Sequence, residues 1–384
     1  MTKFYINRRQ LIKSSATGAA ALAAPAILRS RSAHAQEKVV NIWSYANFIP
    51  EDFITDFQNE TGIRIQNRLV DDQGKQFNLL AAEQPEPTVD ILTVAGHRFL
   101  QFIESDLLTP LDTGRLKNWD KINPVYSESD WAIINDNKWG VPVLSGAEIL
   151  AWNTDVVDAS ETRTWDVMFH PTDRARTPYI IQDLTSVVML YKGYDGNMIE
   201  YMDDPDKAAE IVREVRDFLI ENKDMVRKYY ESGAEIQQMF VNQDVVLAHA
   251  WNGPISKLIM DGFPVDITIP KEGSYGFVYT FNIANNAPNA DNAYLFLDAL
   301  LARPEIGAEM TRASGFISTV NGVDQHLTEL EQRASSFTEE ELAGLQFFRD
   351  EATSYSSTDS PAWVSTSAAI RPAGPPPMTT MGEE

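Results

Sequence analysis

Short apolar runs alternate with segments of helical period along most of this chain, and that alternation narrows the choice of fold sharply. VVNIW at 39–43 has a strand pattern, Pro50 opens a run with Phe53, Ile54 and Phe57 at helical spacing, and Gly62 closes it as a C-cap. A strand-like segment follows at 63–70, and VDILTV at 89–94 reads as a fully buried strand. Two strands joined through a helix need a crossover, and a crossover makes them parallel. The same grammar recurs later. A helix starting near Pro205 places Ala208, Ile211, Val212, Val215, Phe218 and Leu219 on one face as a core stripe. Strands are expected at 245–251 and 265–269, with a helix at 291–302 that Pro304 stops. The expected class is α/β throughout.

The first 35 residues carry an address rather than a fold. NRRQLIK at 7–13 is basic, ATGAAALAAPAIL at 16–28 is apolar, and Ala33-His34-Ala35 supplies a small-x-small cleavage pattern. The apolar run is 13 residues long, short of the roughly 20 that a membrane-crossing helix needs. A cleaved signal peptide at 1–35 and a periplasmic mature chain are therefore expected, with no membrane insertion. The pair Arg8-Arg9, with Leu11, Ile12 and Lys13 after it, resembles the twin-arginine export signal. An ordinary Sec signal that happens to hold two arginines is the alternative, and both lead out of the cytoplasm.

Loss of that segment removes six basic residues and no acid, leaving 26 bases against 55 acids, a net charge of −29. Such a surface repels phosphate backbones and anionic lipid, which argues against nucleic-acid partners. The chain has no cysteine. Its stability then comes from packing alone, and thiolate metal clusters and thiol nucleophiles are excluded. The 349 residues after the signal exceed what one core usually organises, so two lobes are expected. The final segment, 352–384, is rich in Ser, Thr and Pro and is expected to be disordered.

Catalytic signatures are missing: there is no G-x-S-x-G elbow, no G-x-x-x-x-G-K-[ST] loop and no H-E-x-x-H pair. His97, His170, His249 and His326 are too scattered to suggest a metal by spacing. The acid pairs Asp71-Asp72 and Asp203-Asp204 read as solvated surface in a chain this acidic. No catalytic residue, metal or cofactor is expected, and the chain is not expected to be an enzyme.

Five segments then carry a resemblance: SYANFIPEDFITDFQNETGI at 44–63, DLLTPLDTGRLKNWDKINP at 106–124, WGVPVLSGAEILAWNTDVV at 139–157, AHAWNG at 248–253 and VDITIPKEG at 265–273. In their order and spacing they resemble bacterial extracellular solute-binding proteins of the spermidine and putrescine type, over roughly 39–323. The resemblance implies a two-lobed periplasmic-binding-protein fold of type II with the ligand in the cleft between lobes. Lobe one would comprise 36–150 and 276–322, lobe two 151–275 and 323–351. It implies the substrate-binding component of an ABC importer, probing for a small cationic amine and docking an inner-membrane permease as a monomer. A receptor read by a membrane sensor is the alternative from the same fold.

Carried over residue by residue, the resemblance places Tyr45, Phe48, Trp251, Phe277 and Phe316 as aromatic walls and Asp183 as an acid that meets an amine. A buried cation needs such a paired charge. Departures stand beside the matches. The family's main ammonium-binding aspartate is Tyr279 here, another acid is Ser186, and a serine and tyrosine of the first lobe become Ala95 and His97. Glu148, near the lobe crossing, is a candidate replacement for the missing acid, the other reading being an exposed surface residue. With one family-matched acid left, a compact cation is expected in preference to spermidine.

Overall fold

The computed structural model describes residues 38–347, apart from 71, 171–176, 181–183, 198–200, 202–203 and 231. The export segment and the 352–384 tail lie outside the described residues. The described residues from Lys38 onward form one compact unit by their contacts.

Thirteen strands are present among the described residues: β1 (Val39–Ser44), β2 (Arg64–Leu69), β3 (Ile91–Ala95), β4 (Ile133–Ile134), β5 (Asn137–Lys138), β6 (Val141–Asn153), β7 (Thr177–Ile180), β8 (Val226–Tyr230), β9 (Leu247–Trp251), β10 (Val265–Thr268), β11 (Ser274–Ile283), β12 (Ile317–Ser318) and β13 (Leu345–Phe347). The main sheet runs β10-β6-β11-β3-β1-β2, with β9 and β12 also on β6 and β13 on β11. As the strand and helix alternation requires, β1 lies parallel to both β2 and β3. The sheet as a whole is mixed, because β11 runs antiparallel to β3 and to β6.

Local chemistry explains the element ends. The helix Glu51–Thr61 follows Pro50 and ends at Gly62 with φ 69°, a left-handed position that suits glycine. Asp72 and Asp204, expected as plain surface acids, are exposed but also cap helices: they accept from Lys75 N at 2.5 Å and Lys207 N at 3.0 Å. The helix Pro205–Asn222 buries Ile211, Val212, Val215 and Leu219, the expected stripe. Pro304 does more than stop the helix Ala290–Leu301; it occupies the first turn of a second helix, Pro304–Ser314, where its missing N–H costs nothing.

Two strands position the site. β6 is buried along all 13 residues, and its partners change on the way. Val141–Ala147 lie along β11, whereas Glu148–Trp152 lie along β9 and Leu150–Asn153 along β10. The hydrophobic core changes with them. Val141, Val143 and Leu144 pack in one large cluster with Val40, Ile42 and Phe281, while Ala147 and Ile149 pack in another with Tyr230 and Phe240. β11 makes the reverse passage, from Tyr275, packed with Trp165 and Val187, to Val278 in the large cluster. Both strands thus pass between cores within a few residues of Gly146 and Phe277, which face each other across the ladder.

Candidate functional site

Where β6 and β11 cross, five aromatic rings collect. Tyr279 is their centre, with ring centroids 5.5 Å from Tyr45, 5.1 Å from Phe48, 5.5 Å from Phe277 and 5.7 Å from Phe316. Tyr45 meets Phe48 at 5.3 Å and Phe277 meets Phe316 at 5.7 Å, both edge-on. Three elements supply them: the turn after β1, alternate positions of β11, and the turn after the helix Pro304–Ser314. Phe277 and Tyr279 are two apart on a strand, so they share a face. Phe48 and Phe277 are buried, while Tyr45, Tyr279 and Phe316 keep part of their surface in solvent.

Tyr279, placed among the candidates as a departure, therefore joins the other aromatics instead of standing apart from them. Trp251 ends β9 opposite Glu148, and its ring meets Tyr230 at 6.5 Å. Its ring packs with the Tyr230 and Phe240 cluster and not with the five rings; it is Gly253, two residues on, that meets them, where a Cβ would lie 2.6 Å from Phe316 Cε1. His97 sits in the turn Gly96–Arg98 directly after β3, whose last residue, Ala95, lies opposite Tyr279. Asp183 lies outside the described residues.

Polar groups edge the ring cluster at Tyr45. Burial, and next the Tyr279 hydroxyl, push the Tyr45 phenol above its ordinary range; a hydrogen bond with Gln73 and the charge of Arg98 oppose the rise, and Asp72 adds to it. Gln73 Oε1 also accepts from Ala95 N at 3.2 Å, which ties the turn to the helix Gln73–Glu83.

Glu148 is not an exposed surface residue: it is fully buried, and its Oε2 lies 2.7 Å from Nε2 of the equally buried His249. Its backbone carbonyl accepts from Ser274 Oγ at 2.7 Å, which joins the two crossing strands. Ser186 has a neighbour of its own. It lies beside the phenol of Tyr275, which burial first, then the charges of Asp195 and Glu148, push above its ordinary range while Ser186 opposes the rise.

Sequence reasoning passed over Asn252 and Gly146. Asn252 Oδ1 accepts from Ala147 N at 2.9 Å, and a Cβ on Gly146 would lie 2.4 Å from Phe277 Cζ and 2.9 Å from that same Oδ1. Glycine at 146 is what lets the ring and the carboxamide share this space. The available signal was the Trp-Asn-Gly run at a strand-to-helix junction, where small residues permit close approach.

The chain matches a family model for bacterial extracellular solute-binding proteins over residues 52–335. The chain belongs to that family. It is 25% identical over 296 residues to the putrescine-binding periplasmic protein PotF of Escherichia coli, covering 72% of this chain and 76% of that one. A putrescine/agmatine-binding protein of Pseudomonas aeruginosa is 23% identical over 321 residues, covering 79% and 83%. Among solved structures, the spermidine/putrescine transporter substrate-binding protein PotD of Streptococcus pneumoniae superposes with a TM-score of 0.73 at 18% identity, covering 86% of this chain and 97% of that one. A putative spermidine/putrescine ABC transporter protein of Listeria monocytogenes gives 0.68 at 21% identity, covering 87% and 97%. These likenesses show the two-lobed α/β binding-protein fold, and with the family they give this chain a substrate-binding role in transport. Among the described residues no helix is long and apolar enough to cross a membrane.

Proposed function

We propose that this protein is the periplasmic receptor of an ABC importer and captures a small amine by closing its lobes. The five-ring cluster at the strand crossing carries the reading. Ring faces attract a cation, each good contact contributing about 0.5–2 kcal/mol once desolvated, and Tyr45, Tyr279 and Phe316 remain partly open to solvent. Asp183 is the proposed partner of the ammonium, and Trp251 and His97 are the proposed outer walls.

The proposed lobes are 36–150 with 276–322 and 151–275 with 323–351, meeting where β6 and β11 change cores. Two strands without a loop between them make a hinge that bends rather than slides. Closure would bring the two lobes' groups onto one ligand, and the closed form would be the one a permease reads.

Glu148 is better suited to holding the crossing together than to meeting a second ammonium, because its carboxylate already lies against His249. The ligand proposed is accordingly a compact amine, with spermidine disfavoured for want of a second anchor. The test is a melting-shift panel of amines followed by small-angle scattering with the best of them. A ligand at 100 times its dissociation constant should add about 2.7 kcal/mol of stability, and the radius of gyration should fall on binding. Tight binding of an anionic solute, with no response to any amine, would reject this reading.

A further inference from the structure

The wall tryptophan is followed without a break by a helix, and the helix brings its own electrostatics to the cleft. Asn252–Met260 begins at the residue after Trp251, with Trp251 as N-cap and no side chain capping the first turn. The start of a helix presents unbonded N–H groups and the positive end of the helix dipole. Two site rings stand over this end. Phe277 covers Gly146 beside the Asn252 carboxamide, and Phe316 covers Gly253, so tightly that a Cβ on either glycine would collide with the ring.

The second observation is Asn252 itself. Its side chain is fully buried, and the bond from Ala147 N to Oδ1 fixes which way the carboxamide faces. That leaves Nδ2 as a buried donor with no hydrogen-bond partner among the described residues. Ser256 Oγ, one helical turn further, is buried and unbonded among them as well. Buried donors left without acceptors are rare and costly, and each asks for an explanation. An ammonium supplies none, because it has three donors and no acceptor. A cation at the positive end of a helix is also disfavoured, whereas an anion is favoured there.

We infer that the end of the cleft formed by Asn252 and the first turn of its helix receives a carboxylate, so that the ligand is an amino carboxylate with its ammonium toward the Tyr45, Phe48 and Tyr279 rings. The inference rests on the receptor reading above and specifies the chemistry of its ligand. It also accounts for a site that lacks a second acid: a ligand with one ammonium and one carboxylate needs only one. The pole takes its charge preference from backbone and carboxamide, neither of which titrates, so the preference holds across the physiological pH range.

A matched pair of probes isolates this end, since 4-aminobutyrate and putrescine share a chain length and differ only in the terminal group. Calorimetric titration of the mature protein should show 4-aminobutyrate binding at least about tenfold tighter than putrescine. Asn252→Asp keeps an oxygen for Ala147 N, exchanges the donor for an acceptor and puts an acid in a helical first turn, where it is tolerated. That variant should reverse the preference, with a lower Tm in the ligand-free protein, because its carboxylate is buried without a partner until an ammonium meets it. Asn252→Ala should lose 4-aminobutyrate without gaining putrescine. Putrescine binding at least as tight as 4-aminobutyrate in the parent, unaltered in Asn252→Asp, overturns the inference, leaves the amine receptor standing and assigns Nδ2 to a bound water. Silence toward both probes in the parent removes the inference together with the reading it rests on.

Discussion

Glu148 and His249 lie side by side on neighbouring strands, Oε2 to Nε2 at 2.7 Å, with no solvent on either side chain. Glu148 stands opposite Trp251 and two residues after Gly146 on β6, so the pair stiffens the segment in which β6 leaves one core for the next. Trp165 closes over His249 edge-on at 5.5 Å, and its Nε1 donates to Gly273 O at 2.8 Å, bracing β11 from the same place.

Removing one member of such a buried pair strands the other. Glu148→Ala should cost about 3–5 kcal/mol in urea unfolding, while Glu148→Gln, which keeps shape and a bonding group, should cost clearly less. Ligand affinity of Glu148→Gln should stay near that of the parent. A large affinity loss with stability intact would return Glu148 to the ligand and support a two-anchor site.

On the resemblance, Tyr279 stands where the family has an acid, and its ring meets four other rings. Tyr279→Asp should therefore do two things at once. It should lower stability by about 1–3 kcal/mol through lost packing, and it should raise putrescine affinity by about tenfold or more by supplying a second carboxylate. Calorimetric titration beside a thermal melt separates the two effects. A variant that is destabilised but gains nothing toward diamines would show that position 279 does not meet the ligand.

The fold was legible where period and punctuation agreed. Pro50 and Gly62 bracket a helix, the Ile211 stripe lies inside, and the run expected as a strand at 89–94 holds the buried strand Ile91–Ala95, because each depends on neighbours in sequence. The crossing of β6 was not legible. A 13-residue strand buried on every side shows no alternation, so nothing in it marks the residue at which one core gives way to another. Within the site, the five aromatics were nameable only through family likeness, since an aromatic that packs a core and one that lines a cleft look alike in sequence. Asn252 was missed for a related reason: a carboxamide becomes informative only when its oxygen is found bonded and its nitrogen is not.

Stability should fall in acid partly through Glu341. Burial pushes its carboxyl up, but bonds from Thr338 N, Thr268 Oγ1 and Ile269 N outweigh burial and hold it below the ordinary range. A carboxyl lowered by folding contributes stability above its unfolded pKa, about 4.3, and the contribution disappears as pH falls through the lower folded value. Glu341→Gln should accordingly be less stable than the parent at pH 7 and should lose less on going from about pH 5 downward. Equal slopes for the two proteins in urea midpoint against pH would reject this assignment.

Export depends, on the present reading, on Arg8 and Arg9. Replacing both by lysine keeps the charge of the segment and removes the arginine pair, so it should block the twin-arginine route and leave precursor in the cytoplasm. Mature protein should otherwise begin at Gln36. Periplasmic protein at undiminished level from the double variant would assign export to Sec.

The last described residue, Phe347, makes a third link across the strand crossing. Its ring packs at 6.2 Å from Trp131 and 6.3 Å from Tyr126, both in the large cluster, while its carbonyl accepts from Asn197 Nδ2 at 3.1 Å. Two residues earlier in β13, Leu345 packs with the cluster that holds Tyr230 and Phe240. The ring lies over Gly276, where a Cβ would sit 2.8 Å from Phe347 Cε1, and strand alternation puts that face opposite the one bearing Phe277 and Tyr279. In the proposed closure on the Phe277 face, groups on the other face separate, so the Phe347 contact would resist it. Phe347→Ala should lower global stability by about 1–3 kcal/mol and yet tighten amine binding several-fold, by lessening the free energy needed to close. The chain has no cysteine, so labels at Asp56→Cys and Glu221→Cys, both exposed, report the distance between lobes without background. The ligand-free Phe347→Ala protein should show a larger closed fraction than the parent by energy transfer. Weaker binding with an unchanged distance distribution would mean that Phe347 steadies the cleft rather than opposing its closure.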